Sequence, residues 1–228
     1  YLKKAIKINP NVSECYYDLA VALTQTGKFS EAIEYLAEAI SLNPDSYKYR
    51  EFYNFLVISY NSLLYYKNLI DKEPNNAQAH FELGKIYFYL RMYQESDFYF
   101  HRAIELDPRQ ADFYLYLGLS YFQQDKYQKA IEQFQKAIEL QSDNLQAHFN
   151  LGLTYFRIEQ YEKALEFFNK ALELDPQFAD AYFNRALGFI KLEKKKEALD
   201  SLLKAKELFQ MKSDYQKIKE IDELLNKF

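Results

Sequence analysis

Three observations predict an all-α solenoid of antiparallel helix pairs for this chain of 228 residues. The first is a proline clock: Pro10 to Pro44 and Pro74 to Pro108 are each 34 residues, Pro108 to Pro176 is twice 34, and only Pro44 to Pro74, at 30, runs short. The second is the pairing Leu83-Gly84, Leu117-Gly118 and Leu151-Gly152, each followed three residues after the glycine by Tyr87, Tyr121 and Tyr155. The third is a lattice of alanines at Ala32, Ala130, Ala164 and Ala198, then at Ala39, Ala103, Ala137, Ala171 and Ala205. A period of this length marks one supersecondary unit that cannot bury its apolar face alone and so stacks on its neighbours. Proline ends a helix by withholding an amide donor and clashing with the preceding turn. Leucine and tyrosine four apart share one helix face. Glycine inside a helix costs about 1 kcal/mol relative to alanine, so its recurrence predicts a close crossing of two helices.

The elements follow in order. Residues 1–10 match the segments ending at Pro44 and Pro176 and predict the second half of an incomplete repeat, hence a piece of a longer chain. Repeat 1 spans 13–46, with a first helix from about Ser13 and a turn at Thr26-Gly27-Lys28. Residues 47–76 form a shortened repeat 2, in which a first helix over 47–60 leaves no room for the usual turn before a second helix running by Ser62. The expected outcome is an abbreviated turn around Asn61-Ser62; the alternatives are fusion of the two helices or absent residues. A sharper expectation is that this irregularity bends the array and separates repeats one to three from four to six. Repeat 3 spans 77–110, repeat 4 spans 111–144 with its turn at Gln124-Asp125-Lys126, repeat 5 spans 145–178 and repeat 6 spans 179–212. First helices are expected to begin near Tyr47, Ala77, Ala111, Leu145 and Ala179. In repeat 4 Ser142 stands where proline would, so the glycine and alanine lattice carries the register there. Residues 213–228 place Tyr215, Ile218, Ile221, Leu224, Leu225 and Phe228 at helical spacing, which predicts a capping helix over the last apolar face.

Composition narrows the function classes. With 49% apolar and 27% charged residues the chain can bury a large core, and a formal charge of −4 gives no attraction to phosphate backbones. No basic stripe interleaved with aromatics is present, so nucleic acid is not an expected partner. Cys15 is the single cysteine, which leaves no disulfide and suits a reducing, cytoplasmic setting. No apolar run approaches a membrane span; the longest, Phe52 to Tyr66, holds Asn54, Ser59, Asn61 and Ser62. No His-x-x-x-His, serine with a positioned histidine or glycine-rich phosphate loop occurs. Carboxylate pairs such as Glu105 with Asp107 and Glu173 with Asp175 recur with the fold and read as solvated charges, as do Lys194, Lys195 and Lys196 in a turn. The reading is therefore not an enzyme, with no cofactor, no metal and no catalytic residue.

The succession aromatic, Leu-Gly, Tyr, Ala, aromatic, Ala and Pro over 34 residues resembles the tetratricopeptide repeat family, and covers nearly the whole chain. The resemblance implies a right-handed superhelix that acts as a protein-protein interaction scaffold. It makes His80 and His148 packing residues, because each stands where the family has a large, usually aromatic side chain. It also implies a concave face lined by the second, fifth, sixth, ninth, twelfth and thirteenth positions of each repeat. The residues so marked as partner-binding are Phe81 and Lys85, then Leu115, Tyr116 and Leu119, then Phe149, Asn150, Leu153, Phe156 and Arg157, then Phe183, Asn184 and Leu187. Together they predict an apolar and aromatic floor for a helix or extended segment of a protein partner.

Two branches of the family are disfavoured. The clamp that holds the C-terminal carboxylate of Hsp70 and Hsp90 needs lysine, arginine and asparagine where this chain has Phe149, Leu153, Phe183 and Leu187, with Asp180 opposing a carboxylate. Asn150 and Asn184 resemble two rungs of the asparagine ladder in the O-linked N-acetylglucosamine transferase superhelix, but Asp18, Phe52, Glu82 and Tyr116 occupy the equivalent places elsewhere. The alternatives to a free scaffold are a substrate-recruiting arm of a larger enzyme, such as a glycosyltransferase, and an architectural subunit of a large multi-subunit complex of ciliary, transport or organelle type.

Overall fold

The computed structural model describes residues 1–226 and consists, among these, of thirteen helices and no strands. Two compact units divide it, Tyr1–Leu106 and the residues from Asp107 onward. The first holds α1 (Leu2–Ile8), α2 (Ser13–Gln25), α3 (Phe29–Leu42), α4 (Tyr47–Lys72), α5 (Ala77–Tyr89) and α6 (Tyr93–Leu106). The second holds α7 (Ala111–Gln123), α8 (Tyr127–Leu140), α9 (Leu145–Arg157), α10 (Tyr161–Leu174), α11 (Ala179–Lys191), α12 (Lys195–Met211) and α13 (Tyr215–Leu225). The starts of α2, α4, α5, α7, α9 and α11 fall on the residues that the repeat register marks.

Each helix pair closes through the same turn. The first helix ends with one residue in the left-handed region: Gly27 at φ 75°, then Arg91, Asp125, Glu159 and Glu193 at 56–62°. In α7, for example, the Asp125 N–H bonds the Phe122 carbonyl and the Lys126 N–H bonds the Tyr121 carbonyl, which satisfies two carbonyls that the helix end would strand. A non-glycine residue in this conformation costs about 1 kcal/mol. The four charged or polar residues that accept it show that closing the hairpin outweighs the strain.

Inside the pair, a small residue on the first helix admits a large one from the second. A Cβ added at Gly84, Gly118 or Gly152 would lie 2.6–2.7 Å from the ring of Phe100, Phe134 or Phe168, each of which is fully buried. The pairs α2–α3 and α11–α12 carry a different solution at the same register, Ala20 with Leu36 and Ala186 with Leu202, all 0% exposed. Glycine with phenylalanine and alanine with leucine are two volume-matched ways to fill one crossing.

Repeat 2 satisfies neither requirement, and its abbreviated turn does not form. Instead α4 is a single helix of 26 residues running straight through Asn61 and Ser62. Asn54 stands at the glycine register and Tyr66 at the phenylalanine register, so a hairpin would have to bury an amide against a tyrosine ring. One face of α4, with Tyr49, Leu56 and Leu63 buried, packs on a core that joins Leu19, Leu23 and Leu36 to Leu83, Tyr87 and Leu90. The irregularity thus leaves the core of the first unit continuous.

At the far end Ile221 of α13 is fully buried against Phe183, Leu202 and Phe209, with Ile218, Leu224 and Leu225 alongside, and the Lys206 ammonium pairs with the Asp222 carboxylate. Tyr215, expected in this stripe, is 77% exposed, because it opens the helix before the apolar face begins. Phe228 lies outside the described residues.

Candidate functional site

The concave register, applied to the first two repeats, marks Tyr17, Val21, Thr24 and Gln25 on α2 and Phe52 and Phe55 on α4. These six side chains, with Tyr89, Leu90 and Arg91 at the end of α5, line a pocket of 360 Å³ in the first unit. A more open hollow of the same volume continues from it along Tyr17, Lys48, Glu51, Phe52 and Phe55. The floor is aromatic and ordered: Tyr17 stacks on Tyr49 at 4.9 Å and meets Phe52 edge-on at 5.7 Å, while Phe52 stacks on Phe55 at 6.4 Å. The rim is polar, with Gln25, Lys48, Glu51 and Arg91 exposed, and the Lys48 ammonium sits 4.2 Å above the Tyr17 ring. Sequence reasoning confined to the later repeats missed this pocket, although the same positional rule marks six of its lining residues.

The residues marked in the later repeats divide into two groups. Phe81, Leu115 and Phe183 are turned into the core at 4, 6 and 4% exposure and offer a partner little surface; Phe81 packs on Phe100 at 5.7 Å. Lys85 is drawn down by Glu82 at 2.8 Å and lies 4.9 Å from the Phe81 ring. In the second unit Tyr116, Leu119, Phe149, Asn150, Leu153, Phe156, Asn184 and Leu187 are half-buried and Arg157 is exposed. Phe149 is covered by Phe178 at 4.7 Å, and Phe156 meets Tyr161 edge-on at 5.4 Å, a pairing that Phe122 and Tyr127 repeat. The twelfth-position aromatics therefore serve the hairpin turn as well as the face. Asn150 and Asn184 each donate their amide N–H to the carbonyl four residues back, Gln146 at 2.7 Å and Asp180 at 2.8 Å, so these donors are engaged within their own helices.

The two inner histidines pack and also fasten the turn between repeats. His80 donates from Nε2 to the Pro74 carbonyl at 2.9 Å and His148 does the same to Ser142, while the Tyr114 hydroxyl reaches Pro108 at 3.1 Å. Both rings stack on aromatics of the second helix, Tyr99 and Phe167. Shifted ionisations have structural causes. Burial raises the phenols of Tyr66, Tyr99 and Tyr155, a hydrogen bond to the Asp125 carboxylate raises that of Tyr127, and burial lowers the Arg185 guanidinium, which bonds Ser201 and Asn169. Among the described residues no three histidine, cysteine or acidic side chains gather to hold a metal, and no helix is long and apolar enough to cross a membrane.

Models of the tetratricopeptide repeat match residues 13–46, 77–110 and 109–177. The chain belongs to the tetratricopeptide repeat family. Solved structures agree with this fold. MamA is 25% identical, covering 85% of this chain and 96% of its own at a TM-score of 0.63. YrrB, described as a TPR protein with an unusual peptide-binding site, is 21% identical, covers 97% of each chain and has a TM-score of 0.57. MamA of Desulfovibrio magneticus RS-1 is 20% identical at a TM-score of 0.58, covering 87% of this chain and 96% of its own. No curated protein sequence matches the chain. A tetratricopeptide repeat chain of this kind is a protein-interaction scaffold.

Proposed function

We propose that this scaffold is non-catalytic and binds a helix or extended segment of a partner protein, with a binding pocket on α2, α4 and α5. The observation that carries the reading is the 360 Å³ pocket floored by Tyr17, Phe52 and Phe55 and rimmed by Gln25 and Arg91. An aromatic floor with a polar edge is the surface that holds one anchoring side chain while the rim bonds the flanking backbone. The half-buried Tyr116, Leu119, Leu153 and Leu187 of the second unit provide a shallower face of the same chemistry. YrrB lends support as a tetratricopeptide repeat protein with a peptide-binding site. An intracellular setting suits the lone thiol of Cys15.

The test is peptide display. Peptides selected from a random library against the chain are expected to carry an apolar anchor, and Val21→Arg, which places a charged side chain in the pocket, is expected to weaken them at least tenfold with the fold intact. Selected peptides that bind the Val21→Arg variant and the parent equally would remove the pocket from the reading. Loss on Leu153→Glu instead would move the site to the second unit.

A further inference from the structure

Because α4 never folds back on itself, it lacks the second helix that covers the first in every other repeat, and one of its faces is left apolar and open. Glu51, Phe55, Ile58, Ser62, Tyr65, Leu69 and Lys72 follow one another at alternating steps of four and three, the spacing of a helix-pairing seam. This seam lies opposite the one that Tyr49, Leu56 and Leu63 bury. Ile58 is 66% exposed, Tyr65 62% and Phe55 38%, whereas Ser62 and Leu69 are half-buried.

The seam has nearly the same order from both ends. Ile58 and Tyr65 stand four residues before Ser62 and three after it, Phe55 and Leu69 seven before and seven after, and Glu51 and Lys72 eleven before and ten after, so each pair is centred within half a residue of Ser62. Exposed asparagines run along one flank at intervals of seven, Asn54, Asn61 and Asn68, centred on Asn61, one residue from Ser62. A foreign helix makes no demand for such symmetry. A two-fold interface does, since residue i of one copy must meet residue j of the other and the reverse. Laid antiparallel, two such seams set apolar against apolar, carboxylate against ammonium twice, and amide against amide, which is self-complementary because each amide both donates and accepts. Serine at the centre lets the two helices approach closely.

We propose that α4 pairs antiparallel with α4 of a second copy of this chain, on a two-fold axis beside Asn61 and Ser62. The surface shares Phe55 and Glu51 with the peptide pocket and the hollow that continues it, and Ile58 and Tyr65, which line neither, carry its first test. The whole chain should sediment as a dimer that dissociates on dilution. Ile58→Glu, which the axis places in the seam twice, should weaken the dimer about a hundredfold or more with the helical circular dichroism unchanged. Glu51→Lys and Lys72→Glu should each weaken it about threefold, and the double exchange should restore it, a register test that leaves the apolar contacts alone. In a Cys15→Ser background, Ser62→Cys should oxidise to a covalent dimer, because the axis brings the two thiols within bonding reach. A chain that stays monomeric at every concentration with no Ser62→Cys cross-link overturns the proposal. So does a dimer indifferent to Ile58→Glu and to the charge exchange, and so does a seam occupied by another protein's helix in place of a second copy.

Discussion

The hairpin α9–α10 and the single helix α4 are built from repeats of one ancestry of pattern, yet one folds back and the other runs straight. In the hairpin, Gly152 receives the Phe168 ring at a distance no Cβ could tolerate, and Glu159 accepts a left-handed conformation to turn the chain. In α4 both conditions fail together: Asn54 blocks the crossing, and four residues of turn are missing. The difference teaches that a helix pair here is a joint property of a turn and a volume-matched pair of side chains sixteen residues apart. It also explains why one helix of the chain displays an apolar face that its counterparts cover.

The largest effect that would break this comparison is at Gly118. Its Cβ position lies 2.6 Å from the buried Phe134 ring, so Gly118→Val should cost about 3 kcal/mol in urea unfolding. Gly118→Ala should also destabilise, although alanine is the better helix former, and Phe134→Leu added to it should recover much of the loss, since Ala20 with Leu36 and Ala186 with Leu202 already use that pair. Asn54→Ala, at the same register of the unpaired helix, should do the opposite and stabilise by a few tenths of a kcal/mol, about the difference in helix propensity. Equal losses at the two positions would sink the volume-matching account.

A second experiment asks whether the missing turn or the mismatched pair keeps α4 straight. Spin labels at Arg50 and Ile70 are about 30 Å apart along a continuous helix, by a rise of about 1.5 Å per residue. Inserting four turn residues after Asn61 should leave that distance nearly unchanged while Asn54 and Tyr66 remain. Adding Asn54→Gly and Tyr66→Phe to the insertion should collapse it to the separation of two packed helices. A hairpin from the insertion alone would assign the straightness of α4 to turn length.

Much of this was legible beforehand, and what was not has identifiable causes. The starts of six first helices follow from proline and from the Leu-Gly-x-x-Tyr spacing, because those signals are local. The straight course of α4 turns on Asn54 and Tyr66, whose meaning appears only once Gly84 is seen against Phe100. The availability of the fifth position of each repeat was not legible. Phe81 and Phe183 stand there and are buried, Phe149 is half-buried, and Tyr17 at the same position lines the pocket beside α4. Nothing in a single repeat distinguishes those outcomes; the neighbouring repeat decides them.

The smallest expected effect sharpens the comparison at the joints between repeats, where α5, α7 and α9 are alike and α4 differs. The fourth residue of each of those three helices reaches back six residues to a turn carbonyl: His80 to Pro74, Tyr114 to Pro108, His148 to Ser142. The fourth residue of α4 is Arg50, which is exposed. Loss of a part-buried hydrogen bond to this turn carbonyl costs about 0.5–1 kcal/mol, so His80→Phe, which keeps the stacking on Tyr99, should lower stability by that amount. His80→Tyr should restore it, since the phenol of Tyr114 already makes the same bond on the same framework. Arg50→Phe should change little, because that side chain is exposed and makes no such bond to a turn carbonyl. If His80→Phe were as stable as the parent, the histidine would be a packing residue alone, and the joint between repeats would be held by apolar contact without help from this bond.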